Sequence, residues 1–392
     1  MAKPIHKRQG KQDTNNKAIA LHKKLGGKLH IDGAMKITSR EELSLVYTPG
    51  VAAVSSLLAK PSTSSGQAKL ARDYTIKGRT VAVISDGSAV LGLGNIGPYG
   101  ALPVMEGKCA LFKTFAGVEA FPLVLNTQDT DEIVATIAAV APVFGGINLE
   151  DFAAPKCFEI EDRLKAMLDI PVMHDDQHGT AIVILAGLVN AAKVVNKDVK
   201  KLRVVVSGAG AAGTAATKLL HKAGIKDIVV LDRKGVINAS RPEPHKKALA
   251  KLTNPRKVTG GLQDALRGAD VLLGVSGPGL ATAADIKLMA PKAIVFAMAN
   301  PTPEILPEEA KKGGAVVIGT GRSDYPNQIN NSLVFPGIFR GALDNKVRAI
   351  TDDMKLKAAK NLASLVKRPT AAKIIPGPFE KGVAQAVARA IR

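Results

Sequence analysis

The sequence predicts an α/β protein of two domains: an N-terminal α/β domain, then a C-terminal Rossmann-type domain on a doubly wound parallel sheet. Three observations carry that reading. Strand-length apolar runs alternate with helix-length patterns in two successive series, the arrangement of a mostly parallel sheet. The 392 residues correspond to two or three domains at about 150 residues each. A GxGxxG stretch, Gly208 to Gly213, lies between an apolar run and a helical pattern in the second series.

In chain order, residues 1–16 are polar, basic and aperiodic and read as a flexible tail. Lys17 to Leu25 is a short helix stopped by Gly26-Gly27. The run LSLVYTPGVAAVSSLLAK carries a turn at Thr48-Pro49-Gly50 and a helix from about Val51. TVAVIS (80–85) reads as a buried strand, 101–117 as a helix and 119–126 as a strand. Asp129 or Thr130 caps a helix over 131–141, and strands at 146–151 and 170–175 flank a helix over 156–168. A long apolar helix, 178–195, opens the second series, with strands at 202–207, 225–232, 269–276, 293–300 and 315–321 and a helical C-terminus. The domain junction falls near 175, giving domains over 17–175 and 176–392.

Composition excludes several classes. Hydrophobic residues make up 46% and charged residues 22%, which rules out disorder over most of the chain. Two cysteines, Cys109 and Cys157, cannot build a disulfide framework or a CxxC site. The basic start has no apolar stretch behind it, unlike a secretory signal. The most apolar run, Ile133 to Leu149, is broken by Pro142, Gly145 and Gly146 and is shorter than the ~20 residues of a membrane span. A cytoplasmic protein without a membrane partner is therefore expected. The net charge of +20 is spread along the chain, with 17 basic against 5 acidic residues from Lys193 to Arg267. Aromatics are 4% and Trp is absent, so no specific nucleic-acid binding is expected; a basic surface suits anionic substrates.

Gly208-Ala209-Gly210-Ala211-Ala212-Gly213 has the context a dinucleotide site needs. It follows a strand and opens a helix, and the next strand ends at Asp232, 19 residues past Gly213. Glycines there let backbone amides approach a pyrophosphate at the helix N-terminus, while the acid accepts a ribose hydroxyl and disfavours a 2′-phosphate. The same pattern also fits a tight strand–helix turn in any α/β protein. Asp232 favours NAD; Arg233 and Lys234 pull toward NADP. The second GxGxxG, Gly92 to Gly97, runs directly into Pro98 and has no acid at a following strand end. It reads as a loop that brings backbone close to a ligand or to the other domain.

Glu150-Asp151 and Asp175-Asp176 each close a predicted strand, where ligands of open α/β sheets bind. Converging carboxylates need a cation, and oxygen donors suit Mg²⁺ or Mn²⁺; helix N-capping explains each pair equally well. His174 and His178 imitate a zinc-protease pair, but the first ends a strand, so the two cannot share a helix face. Lys108, in the apolar MEGKCALF, is either a base with a lowered pKa or a surface lysine burying its stem. Tyr47 beside its turn is either functional or a core tyrosine.

Together, SLVYTPGVA, GLGNIGPYGALPVMEGKCALFK, NLEDFAAPKCFEIE, HDDQHGTAIVILAGLVNA, GAGAAG, ANPTPEI and NNSLVFPGIFRGAL resemble the malic enzymes, specifically the short bacterial form. The resemblance implies oxidative decarboxylation of malate to pyruvate and carbon dioxide, with NAD or NADP as hydride acceptor and Mg²⁺ or Mn²⁺ in an N-terminal substrate and metal domain. It places the catalytic Tyr on Tyr47 and the catalytic Lys on Lys108. The metal carboxylates fall on Glu150, Asp151 and Asp176, with Asp175 beside them in the site. Asn300 falls at the cofactor and substrate, and the substrate Asn on Asn330 or Asn331. It also implies a homodimer or higher homo-oligomer. In one departure, Ala89 stands where larger relatives carry an Arg that holds a malate carboxylate. Two other readings are a malolactic-type decarboxylase that retains NAD and a non-catalytic dinucleotide-binding protein.

Overall fold

The structure, a computed structural model, describes residues 5–61, 63–90 and 92–392. Its first element is helix α1 (Ile5–Leu25), so the helix begins at Ile5 rather than Lys17; of the expected tail, only residues 1–4 lie outside the described residues. The physical reason is propensity. Lys, Arg and Gln favour helix without any apolar period, so an aperiodic polar run can still be helical, and Thr14 to Leu25 are exposed on nearly every side.

Helices α2 (Arg40–Val46), α3 (Val51–Ala59) and α4 (Ser64–Tyr74) follow. Strands β1 (Thr80–Ser85), β2 (Glu119–Val124), β3 (Gly146–Leu149) and β4 (Val172–His174) make a four-stranded parallel sheet in the order β2-β1-β3-β4. Its helices are α5 (Gly97–Ala116), α6 (Thr130–Val140), capped by the Asp129 carboxylate, and α7 (Lys156–Met167). All six residues of β1 are buried, as a strand covered on both faces requires.

Helix α8 (Asp175–Val194) starts three residues before the expected 178, so Asp175 and Asp176 lie in its first turn rather than at a strand end. Beyond it come β5 (Val204–Ser207), α9 (Ala211–Lys222), β6 (Ile228–Asp232), β7 (Gly235–Val236), β8 (Val271–Gly274), β9 (Ala293–Ala297) and β10 (Ala315–Thr320). The second sheet runs β10-β9-β8-β5-β6-β7, parallel except for β7, a two-residue antiparallel edge too short to show in the sequence pattern. Chain order reverses between β1 and β3 in the first sheet and between β5 and β8 in the second. Those are the crevices where open α/β sheets bind ligands.

One hydrophobic core joins the two sheets. It includes Val81 and Val83 of β1, Ile182 to Leu185 of α8, Val204 and Val206 of β5 and Phe335 and Phe339 from a C-terminal helix. Helix α8 is apolar on nearly every side because it is buried on nearly every side.

The segment 40–59 is the opposite case. Its composition, with mean hydropathy 1.3, would pass for a membrane span, yet none of its residues is fully buried. It is two helices of seven and nine residues separated at Tyr47–Gly50, each far shorter than the ~20 residues that crossing requires.

Cys109 and Cys157 are fully buried, and burial pushes both thiols up to about 12. Native protein at about pH 8 should give no fast reaction with a thiol-specific disulfide reagent, whereas unfolding in guanidinium should release both thiols. Rapid labelling of either cysteine in the native state would contradict this packing.

Candidate active site

The C-terminal ends of β1 and β3 gather the charged groups. After β3, Glu150 and Asp151 turn into the crevice, Asp151 with φ +56. The first turn of α8 supplies Asp175 and Asp176. Asp151 N–H donates to Asp176 Oδ2 at 2.9 Å, which locks the two turns together. Ligand oxygens of Glu150, Asp151 and Asp176 all lie within 4.8 Å of one another. Lys108, in the middle of α5, reaches into this cluster. Its ammonium is 2.5 Å from Asp175 Oδ2, bonds Glu150 Oε1 and sits 4.3 Å from the centre of the Phe335 ring.

The electrostatics overturn one expectation. Burial pulls the Lys108 pKa down, but the Asp175, Glu150 and Asp176 carboxylates outweigh it and hold the ammonium above the ordinary lysine range. An apolar sequence neighbourhood says nothing about acids delivered by other elements. Burial pushes Glu150 well up, with Lys108 opposing and Asp176, Asp175 and Asp151 adding to the rise; Asp175 rises to about 6, also by burial. One ammonium cannot neutralise four crowded carboxylates, and Asp175 Oδ1 is buried without a hydrogen bond among the described residues. The converging oxygens of Glu150, Asp151 and Asp176 make an all-oxygen donor set that fits a hard divalent cation.

Other groups close around this crevice. The Gly92 loop approaches the second sheet: a Cβ on Gly92 would lie 2.1 Å from the Asn300 carbonyl oxygen, which is the close backbone approach the sequence suggested. Likewise a Cβ on Gly321 would meet Asn300 Nδ2 at 2.6 Å, and one on Gly179 would meet Asp175 Oδ1 at 1.8 Å and Asn331 Cβ at 3.2 Å. Asn331 thus borders the first turn of α8, while the Asn330 carboxamide oxygen caps its own turn by accepting Ser332 N–H at 2.9 Å. Ala89 N–H donates to the Asp151 carbonyl oxygen.

Tyr47 is not brought in. It caps α2 at 67% exposure, and its hydroxyl makes no hydrogen bond to Lys108 or the four carboxylates among the described residues. The histidine pair is also resolved. His174 is the N-cap residue of α8, and His178 Nε2 lies 2.9 Å from Glu161 Oε2, so neither joins the acid cluster.

At the second switch point, Gly208 follows β5 with φ +126, and a Cβ there would sit 2.6 Å from the Val275 carbonyl oxygen. A Cβ on Gly213 would fall 1.8 Å from the Gly208 carbonyl oxygen, so only glycine lets α9 pack this close to β5. Ala209 and Gly210 form the turn into α9, Ala211 and Ala212 open the helix, and no side chain caps its N-terminus. Asp232 ends β6 as expected. The cations against it are Arg241 and Lys246, each at 3.0 Å, rather than the neighbouring Arg233 and Lys234 side chains. Sequence spacing could not find them, because the β7 hairpin and the following helix return them to the strand end.

A carboxylate cluster at one switch point and a dinucleotide turn at the other define a two-domain nicotinamide-dinucleotide enzyme. The chain belongs to the malic enzyme family: residues 27–165 match the malic enzyme N-terminal domain and residues 177–391 the malic enzyme NAD-binding domain. It is 52% identical over 383 residues to the NAD-dependent malic enzyme of Geobacillus stearothermophilus, covering 97% of this chain and 78% of that one. It is 53% identical over 380 residues to the bifunctional malic/malolactic enzyme of Bacillus subtilis, covering 95% and 91%. The crystal structure of the NAD-dependent malic enzyme of Thermotoga maritima superimposes with a TM-score of 0.91 at 45% identity, over 95% of this chain and 98% of that one.

Gly213→Ala tests the dinucleotide turn. Forcing a methyl against the Gly208 carbonyl should cost about 1–3 kcal/mol of stability and weaken NAD binding, read by denaturant unfolding and by calorimetric titration. Unchanged midpoint and affinity would mean that α9 does not pack as described.

Proposed function

We propose that this protein catalyses the divalent-metal-dependent oxidative decarboxylation of malate to pyruvate and carbon dioxide, with NAD as the preferred hydride acceptor. The observation that carries the reading is the convergence of Lys108 with Glu150, Asp151, Asp175 and Asp176 at a strand-end crevice, with Asn331 beside the first turn of α8 and Asn300 against the Gly92 loop. Glu150, Asp151 and Asp176 would hold Mg²⁺ or Mn²⁺, which when bound supplies Lewis-acid polarisation of the substrate hydroxyl and its adjacent carboxylate. Lys108 takes the hydroxyl proton; a cation held by Glu150 and Asp176 would draw off part of the negative charge that raises its pKa, leaving Asp175 as its partner. Asp175 keeps the Lys108 amine aimed into the crevice. NAD, when bound, would accept the hydride from the hydroxyl-bearing carbon of malate; Asn300 orients cofactor and substrate, and Asn331, nearer to α8 than Asn330, orients the substrate. Tyr47 protonates the enolpyruvate carbon after carbon dioxide leaves. The catalytic domain spans 17–175 and the dinucleotide domain 176–392.

Tyr47 can do this only if something carries it to a site, and a homodimer supplies the means. The segment 40–59 exposes Leu43, Leu45, Tyr47, Val51 and Val54 with no cover of its own, as a surface destined for a second copy would. Each Tyr47 then serves the Lys108 of the other subunit. A cytoplasmic setting suits the two buried, unpaired cysteines. The name of the Bacillus subtilis relative favours one second reading, a malolactic outcome with NAD retained; NADH accumulating stoichiometrically with pyruvate excludes it.

Lys108→Ala should lower malate oxidation by about 10²–10⁴-fold while NAD still binds. Tyr47→Phe should also be impaired, and co-expressed Tyr47→Phe and Lys108→Ala chains should regain activity, because one site of the mixed dimer then has both groups intact. Mixed dimers as inactive as their parents would place both residues in one subunit's site or remove Tyr47 from the chemistry.

Asp232 ties up Arg241 and Lys246, the cations that could grip a 2′-phosphate. Wild-type kcat/KM should be higher with NAD than with NADP, and Asp232→Ser, by freeing both cations, should shift the ratio toward NADP by about tenfold or 1.4 kcal/mol. A wild type that favours NADP contradicts the cofactor assignment.

A further inference from the structure

We infer that Glu161 is the positioning residue of the metal site, holding the helix turn that carries Asp175 and Asp176; the inference rests on the metal role proposed for Glu150, Asp151 and Asp176. Glu161 projects from α7, and its side chain is only 4% exposed. A buried carboxylate needs donors, and this one has four. Oε1 accepts His174 N–H at 2.9 Å and lies 2.8 Å from Lys165 Nζ. Oε2 accepts Gln177 Nε2 at 3.4 Å and His178 Nε2 at 2.9 Å.

Three of those donors belong to residues that bracket Asp175-Asp176. His174 precedes the pair, and Gln177 and His178 follow it. The first turn of a helix leaves backbone N–H groups unsatisfied, and a side chain at the N-cap normally takes them. His174, the N-cap residue of α8, makes no such bond. Glu161, from another helix, instead accepts the backbone N–H of the N-cap residue and the side chains of Gln177 and His178 on the far side of the same turn. The opposite side is held by the Asp151 N–H to Asp176 Oδ2 bond, so the ligand turn is pinned from both directions.

The imidazole orientation is itself fixed. Lys355, from the C-terminal helix Asp352–Ser364, has its ammonium 3.1 Å from His178 Nδ1. An ammonium can only donate, so Nδ1 accepts and the ring proton sits on Nε2, aimed at Glu161. The chain Lys355–His178–Glu161–His174 N thereby connects a C-terminal helix to the placement of the metal carboxylates. Glu161 touches neither the carboxylates nor the substrate crevice, which makes it a positioning group and not a catalytic one.

Glu161→Gln keeps the shape and one acceptor oxygen but turns an amide NH₂ toward a donor. Direct binding of Mn²⁺ alone to the full-length protein, read by the electron paramagnetic resonance of free Mn²⁺, should weaken by about 10–100-fold, as for other groups that orient metal ligands. In turnover, the KM for Mn²⁺ should rise while kcat at saturating Mn²⁺ stays close to wild type. Glu161→Asp, which retains the charge on a shorter stem, should recover part of the affinity, and it carries the test if Glu161→Gln does not fold. Asp176→Asn is measured alongside. If Asp176→Asn loses Mn²⁺ binding while folded Glu161 variants bind as wild type, the positioning role is overturned and the metal site stands. If Asp176→Asn binds Mn²⁺ normally, the metal site itself is wrong. A fall in thermal midpoint and kcat with no change in Mn²⁺ affinity would assign Glu161 to structure alone and also overturn the inference.

Discussion

The ammonium of Lys108 buried against Glu150 and Asp175 is the interaction on which the rest of the site depends. Three elements distant in sequence, α5, the β3 turn and α8, meet there, and none could bury its charge alone. An isolated carboxylate or ammonium taken out of water costs several kcal/mol, so each group is tolerable only because the others arrive. The balance is incomplete by design of the donor set, because the acids outnumber the base. A crevice left with surplus negative charge and oxygen donors is matched to a small divalent cation and to the chemistry such a cation supports.

Helix α8 makes that meeting possible. Its N-terminus carries two of the acids, its first turn is held by Glu161, and its apolar body is the shared core of both sheets. Carboxylates at the start of a helix buried on nearly every side are held in place, since moving them would disturb the packing of that helix. The dinucleotide turn shares this rigidity through Gly208 and Gly213, where backbone approaches backbone too closely for any side chain. Both halves of the reaction are therefore fixed to one packed body.

The N-terminal segment is built on the opposite principle. No residue of helices α2 and α3 is fully buried within the chain, although Leu43, Leu45, Val51 and Val54 are apolar. Exposed leucines and valines in contiguous helices are a cost that a monomer rarely bears, and this patch lies beside Tyr47.

Much of this was legible in the sequence. Strand–helix alternation, the glycine turn at 208–213 with Asp232 beyond it, and the Asp129 cap all depend on local periodicity and local hydrogen bonding, which neighbours in the chain determine. The tertiary structure decided what depends on groups far apart. It set the Lys108 ammonium among acids that raise its pKa where its apolar neighbours suggested the reverse. It moved Asp175 and Asp176 from a strand end to a helix turn and chose Arg241 and Lys246 as the partners of Asp232. It set Glu161, the last residue of NLEDFAAPKCFEIE, against the first turn of α8, a contact that its place in the stretch does not announce. Secondary structure follows from propensity and period within a few residues, whereas the charge state of a buried group is set by which other charges the fold carries to it, and that is a property of the packed molecule alone.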